Sequence, residues 1–138
     1  MSAADCVFCR IVAGEIACLK VFEDADTLAF LDIGPLAEGH TLVIPRQHYE
    51  RIEQMPPDLL GRIMSPIPRL VRAVMAATGT DACNVLANTG AAAGQVVMHV
   101  HIHIIPRRSG DGLGYRWPAG KYPPGRGEEV ARQIVLAL

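Results

Sequence analysis

The chain has 138 residues, half of them hydrophobic, a formal net charge of −1, five histidines and four cysteines. That is enough apolar surface for one core, expected as a single domain over 1–138, and too much for a disordered chain. The near-zero charge gives no general attraction to nucleic acids or anionic membranes. There is no basic start followed by an apolar run and no membrane-length apolar stretch, so the cytoplasm is the expected location and neither nucleic acid nor membrane is an expected partner.

The first motif in chain order is Cys6-Val7-Phe8-Cys9. Two thiolates separated by two residues can close on a tetrahedral zinc that finds two more ligands elsewhere. Redox chemistry and plain thiols are the competing readings, although nothing upstream supplies the strand of a thioredoxin-like unit. Residues 19–22 and 27–31 read as strands joined by the acidic turn Glu23-Asp24-Ala25-Asp26. Alternation puts Leu28, Phe30 and Asp32 on one side of the second strand. A ring beside a carboxylate suits a base and a ribose diol; a core Phe followed by a turn Asp is the plainer reading. Pro35 and Gly39 mark a loop, residues 41–44 a third strand stopped at Pro45, and His40 and His48 flank it.

Between residues 56 and 78 apolar side chains recur at three-to-four spacing, which predicts the main helix. Pro66 and Pro68 lack the amide proton that its ladder needs, so a kink or break is expected near 64–67. Gly79 is the expected stop. Residues 83–88 read as a fourth strand ending at Asn88. The small residues from Thr89 to Gln95 then let backbone amides approach a ligand, though no Lys or hydroxyl of a nucleotide P-loop is present.

In His99-Val100-His101-Ile102-His103-Ile104-Ile105 three histidines alternate with aliphatic residues. A period of two is strand geometry, with Val100, Ile102 and Ile104 toward a core and the imidazoles on the other face, roughly 7 Å apart. That spacing lets one phosphate or one metal organise neighbouring rings, whereas solvent faces ordinarily carry Thr, Lys or Glu. Residues 107–127 form a long loop rich in Gly, Pro and basic residues, with Tyr115, Trp117 and Tyr122 interleaved; it reads as a cover for the site or a neighbouring subunit, or as a flexible segment. Residues 128–138 suit a short helix with an acidic start.

The triad resembles the signature of the histidine triad (HIT) superfamily. Residues 5–16, 28–33, 39–45 and 88–95 resemble its Hint-type branch, so the likeness covers most of the chain. The resemblance implies a two-layer α+β fold with a five-stranded antiparallel sheet, one main helix and short terminal helices, paired as a homodimer. It also implies binding of a purine nucleotide, with hydrolysis or transfer at the α-phosphate. His101 would be the nucleophile, its tautomer fixed by the backbone carbonyl of His99, with His103 against the phosphate oxygens. Asn88, Gln95 and the backbone amides after Gly94, including that of Val96, would add donors. Asp32 would hold the ribose, and Phe8, Ile11, Phe30 and Ile33 would line the base pocket. Cys6, Cys9, His48 and His99 match the zinc ligands of some members; a closed Cys₂His₂ set implies a structural Zn²⁺ that does not activate water. His40 is left with a structural role near the site. Val96 departs from the Ser or Thr common at its position, which bears directly on the leaving group. Three functions follow: a nucleoside phosphoramidate hydrolase, a dinucleoside polyphosphate hydrolase, or a zinc-stabilised nucleotide-binding module with little turnover.

Overall fold

The computed structural model describes residues 2–114 and 117–138; Tyr115 lies outside them. Five strands, β1 (Lys20–Glu23), β2 (Thr27–Leu31), β3 (Thr41–Pro45), β4 (Ala82–Ala87) and β5 (Ile102–Arg107), form one sheet in the order β1-β2-β3-β5-β4. All neighbours are antiparallel. Alternation in β2 and β3 separates two apolar sets. Ala29 and Val43, with Val100, Ile102 and Ile104, face Leu59, Ile63, Ile67, Leu70 and Val74 of the helical layer. Leu28, Phe30, Leu42 and Ile44 face Cys6 and Phe8 on the opposite side. Full burial of each Leu, Ile or Phe contributes about 1.5–3 kcal/mol. β2 and β3 are therefore fixed on both faces, and they form the rigid floor of the site.

The main helix is broken where the prolines fall. α2 (Pro57–Met64) ends at Ser65, and α3 (Ile67–Thr78) starts with Pro66 as its N-cap and Pro68 in its first turn, where a missing amide costs no ladder bond. Gly79 ends α3 in the left-handed conformation, φ +63°. Short α1 (Val7–Val12) carries Phe8 onto the sheet, and α4 (Arg126–Ala137) has no buried residue. No described helix is long and apolar enough to cross a membrane.

The strand expected over 99–105 is shorter at its start: β5 begins at Ile102. Its ladder with β3 runs only from Thr41↔Ile104 to Val43↔Ile102. Further back the chain turns to other partners, with the Val100 amide on the Tyr49 carbonyl at 2.7 Å. The alternation survives outside the ladder, since Val100 stays in the helix-side core while His99 and His101 leave the other face. After β5 the long loop opens with an anchored turn, in which Arg107 grips Asp111 through two bonds of 2.7 and 2.9 Å. Trp117 and Tyr122 are exposed.

Gly39, just before β3, adopts φ +93°, and a Cβ there would stand 2.5 Å from Thr78 Cγ2 at the end of α3. Gly39→Ala is expected to destabilise the protein by about 1–3 kcal/mol, combining backbone strain with overpacking. Urea midpoints of the two proteins measure this, and an unchanged midpoint would refute it.

Candidate active site

The site begins where Pro45 ends β3. His99, fully buried, donates from Nε2 to the Pro45 carbonyl at 2.8 Å, so its Nδ1 carries a lone pair. Three groups converge on that lone pair: Cys6 Sγ at 3.4 Å, Cys9 Sγ at 3.5 Å and His48 Nδ1 at 3.2 Å. Cys9 Sγ is in turn 3.3 Å from His48 Nδ1. One lone pair cannot satisfy three such partners, but a cation among them can. A tetrahedral zinc with bonds of about 2.0–2.3 Å has ligand-to-ligand edges of about 3.3–3.8 Å, close to these separations. Cys6, Cys9, His48 and His99 can therefore hold a metal ion. Without one, burial and then Cys6 push the Cys9 thiol up to about 11, so binding would expel thiol protons.

The same His99 positions the next ring. Its backbone carbonyl accepts a 2.7 Å bond from His101 Nδ1, which fixes the proton there and leaves Nε2 as the free lone pair. Phe8 packs edge-on against both rings, with centroids 5.8 Å from His99 and 5.3 Å from His101. His101 is thus held in tautomer and in angle. The His103 ring lies 4.9 Å beyond it, centroid to centroid.

His103 belongs to a second chain of bonds. The Leu36 amide donates to His40 Nδ1 at 3.1 Å, so His40 carries its proton on Nε2 and gives it to His103 Nδ1 at 2.9 Å. The His103 proton then sits on Nε2, which is buried without a partner. Asp32, His40 and His103 are close enough to suggest a second metal cluster. The protonated Nε2 of His40 opposes that reading, because it faces the cluster as a donor.

His101 and His103 line a cavity of about 350 Å³ together with Asp32, Gly94, Val96 and an apolar wall. Phe8, Ile11, Phe30 and Ile33 are in that wall, with Ile33 almost fully exposed at the rim. Gln95 is not in the lining. Its Oε1 accepts from the Gly90 amide at 2.8 Å and its Nε2 donates to the carbonyls of Glu50 and Val97 at 2.6 and 3.1 Å. Its side chain holds the shape of the loop that offers Gly94 and Val96 to the cavity. Asn88 is not in the lining either; its Nδ2 lies 3.5 Å from where a Gly94 Cβ would stand. The sequence reading missed Val7, Ile16, Ala17, Cys18, Leu42 and Val97 in the lining. Leu42 is the cross-strand partner of Phe30 and needed the β2–β3 register to be found. It also missed His40 as the group that orients His103. No described residue of 107–127 lines the cavity.

Burial, then repulsion from His101 and His40, pushes the His103 pKa down to about 4, with Asp32 pulling it back. Unfolded histidine titrates near about 6.5, so below that pH the unfolded chain takes up a proton that native His103 refuses. Stability is fully present above that range. It is expected to fall as the pH drops from about 6.5 toward 4, by at most about 3 kcal/mol from this residue. Urea unfolding at pH 7.5 and pH 5 reads the loss, and His103→Gln should make it shallower; equal pH dependence in the two proteins would exclude His103 as its source.

A two-layer α+β scaffold with a histidine cluster at the floor of an apolar cavity defines the class. The HIT domain model matches residues 13–110, and the chain belongs to the HIT family. An adenylylsulfatase of Arabidopsis thaliana is 50% identical over 109 residues, 79% of this chain; the match spans 55% of that protein, little more than half its length. An adenosine 5'-monophosphoramidase of Schizosaccharomyces pombe is 42% identical over 134 residues, covering 94% of this chain and 98% of that one. Among solved structures, a HIT family member from Bacillus subtilis superposes with a TM-score of 0.91 at 39% identity, covering 97% of each chain. A zinc-bound histidine triad family protein from Mycobacterium smegmatis gives 0.76 at 35% identity, covering 99% of this chain and all of that one.

Proposed function

We propose that this protein is a nucleotide hydrolase acting at the α-phosphate of AMP conjugates, purine nucleoside phosphoramidates among them, through a nucleotidyl-histidine intermediate on His101. The observation that carries the reading is the 2.7 Å bond from His101 Nδ1 to the His99 carbonyl, which leaves Nε2 unprotonated at the floor of the cavity. A neutral imidazole with its other nitrogen tied is a competent nucleophile near pH 7. Nε2 attacks phosphorus, the leaving group departs, and water then releases AMP and restores His101. The buried Nε2–H of His103 supplies a preformed donor for the phosphate oxygens. Backbone amides at Gly94 and Val96 complete the cradle, with Gln95 bracing the loop and Asn88 beside Gly94. Asp32 receives the ribose hydroxyls, and Phe8, Ile11, Phe30 and Ile33 receive the base.

The relatives named as adenylylsulfatase and adenosine 5'-monophosphoramidase support an adenylyl group as the common part of the substrate. A dinucleoside polyphosphate would meet the same nucleophile with a larger leaving group. The test is rapid mixing with an AMP conjugate, acid quench and intact-mass analysis. An AMP adduct on His101 is expected; product formation without any adduct would remove the covalent intermediate, and bound AMP with no turnover would favour the binding module.

The metal at Cys6, Cys9, His48 and His99 is proposed to be a structural Zn²⁺. Four protein donors close its coordination, so its chemistry is to hold α1 against the residues before β5. The zinc-bound relative supports this identity. A homodimer is proposed through β4, an edge strand of the sheet on which Val85 is 42% exposed. Light scattering coupled to size exclusion measures it. Four free cysteines, two of them in the metal set, fit a reducing cytoplasm.

A further inference from the structure

Two donors of the metal set carry a chemistry that the imidazoles lack. Cys6 is the N-cap of α1 and Cys9 follows one turn on, so their sulfurs rise together toward His99 and lie within 4.8 Å of each other. Side chains three apart in a helix have Cβ atoms about 5–6 Å apart, against about 3.5–4.5 Å in a disulfide. Cys6 has extended backbone, φ −81° and ψ 120°, outside the helical ladder, so the first turn can take up that difference without unwinding α1. Cys6 is fully buried and Cys9 half-buried, which gives the pair one sulfur that solvent reaches and one behind it. Cys18 and Cys83 belong to neither cluster of metal-ligating groups among the described residues.

The Nδ1 lone pair of His99 distinguishes the states of this pair. With both thiols reduced and no cation, Cys6, Cys9 and His48 converge on one acceptor. A cation among them relieves that conflict, and so does a disulfide. Sulfurs bonded to each other have no proton to donate, so the lone pair keeps a single partner, His48 Nδ1 at 3.2 Å. His48 then donates to His99, His99 donates to the Pro45 carbonyl at 2.8 Å, and the His99 carbonyl still accepts from His101 Nδ1 at 2.7 Å. The frustrated state is the reduced one without metal.

We propose that Cys6 and Cys9 form a two-electron redox pair, which hydroperoxides oxidise to an internal disulfide that ejects the metal and leaves His99 and His101 in their present tautomers. The ejected ion rests on the metal set proposed above; the disulfide rests on the placement of the two sulfurs. The Cys9 thiolate attacks one peroxide oxygen, an S–O bond forms, the O–O bond breaks, and the departing oxygen takes a proton from solvent. The Cys6 thiolate then attacks the Cys9 sulfur. The S–S bond forms, the S–O pair leaves as hydroxide, and hydroxide takes a second proton. The two sulfurs lose two electrons, and the peroxide is reduced to water and an alcohol, or to two waters. The two neutral imidazoles that remain lack the thiolate charge that closes the coordination of a divalent cation. A dithiol reverses the exchange, as expected of a transient disulfide in a reducing compartment.

The test treats the full chain, as purified, with a small excess of hydroperoxide beside a zinc indicator, and follows free thiols, peptide masses and histidine ¹⁵N shifts. About one zinc released per disulfide is expected, with the disulfide mapped to Cys6 and Cys9 and reversed by dithiothreitol and added zinc. Cys18→Ser and Cys83→Ser should each leave the disulfide and the zinc release unchanged. The oxidised protein should keep His101 in one tautomer, whereas the reduced protein stripped by a chelator should show it mixing. Oxidation confined to Cys18 or Cys83, or Cys9 carried to a sulfinic acid with no disulfide, would overturn the pair. A disulfide accompanied by the same tautomer mixing as in the stripped protein would overturn the part given to His48. Formation of the Cys6–Cys9 disulfide in a chain purified without zinc would remove the metal and its ejection while supporting the redox pair.

Discussion

His101→Ala is expected to lower kcat by about 10⁴-fold or more while leaving AMP affinity within about threefold. The ring touches its neighbours through Phe8 and His103 and makes one hydrogen bond, to the His99 carbonyl. Its removal opens space at the cavity floor without disturbing the wall that receives a base. Binding and chemistry should therefore separate. Isothermal titration with AMP measures the first and quenched-flow turnover the second. A variant with wild-type turnover would move the nucleophile elsewhere; a variant that loses AMP binding and turnover together, with an unchanged melting temperature, would make His101 a binding residue instead.

Removal of the metal is the second large effect. The purified protein is expected to carry about one zinc per chain, and Cys6→Ser is expected to lose it and to melt about 10–15 °C lower. Structural zinc sites in small peptides are worth about 10–16 kcal/mol. Here β2, β3 and the helical layer fold around their own core, so a loss of about 3–5 kcal/mol is the reasonable share, converted through the unfolding entropy of a domain this size. The consequence should reach His101, because His99 gives its ring to the metal set and its carbonyl to His101 Nδ1. Histidine ¹⁵N shifts should show the His101 tautomer mixing after chelation, a readout independent of turnover. Metal content far below one per chain after zinc supplementation, or full content in Cys6→Ser, would refute the assignment.

Much of the fold was legible because its signals are local. The period-two alternation in 27–31 and 41–44, the helical spacing from 56 to 78 and the two prolines each depend on residues a few positions apart. The break between α2 and α3 falls where Pro66 and Pro68 required it. The start of β5 was misread because alternation persists through His99 and His101 after the ladder has ended, and sequence period cannot show which amides find a strand partner. The family resemblance implied Gln95 as a donor to the phosphate. The structure instead closes both ends of its side chain on backbone groups of Gly90, Glu50 and Val97, one of them 45 residues away. His40, left over in sequence, gained its role from pairing of distant strands.

The sequence by itself determined which residue types were available: a triad at alternate positions, two cysteines one helical turn apart, a carboxylate following an aromatic strand, and a small-residue loop without a phosphate-binding lysine. Tertiary structure decided their protonation and direction. The Pro45 carbonyl selects the His99 tautomer, the His99 carbonyl selects that of His101, and the Leu36 amide selects those of His40 and His103. An imidazole is donor, acceptor, ligand or nucleophile according to which nitrogen bears the proton, and that choice is made by the group opposite it in space, which no spacing along the chain records.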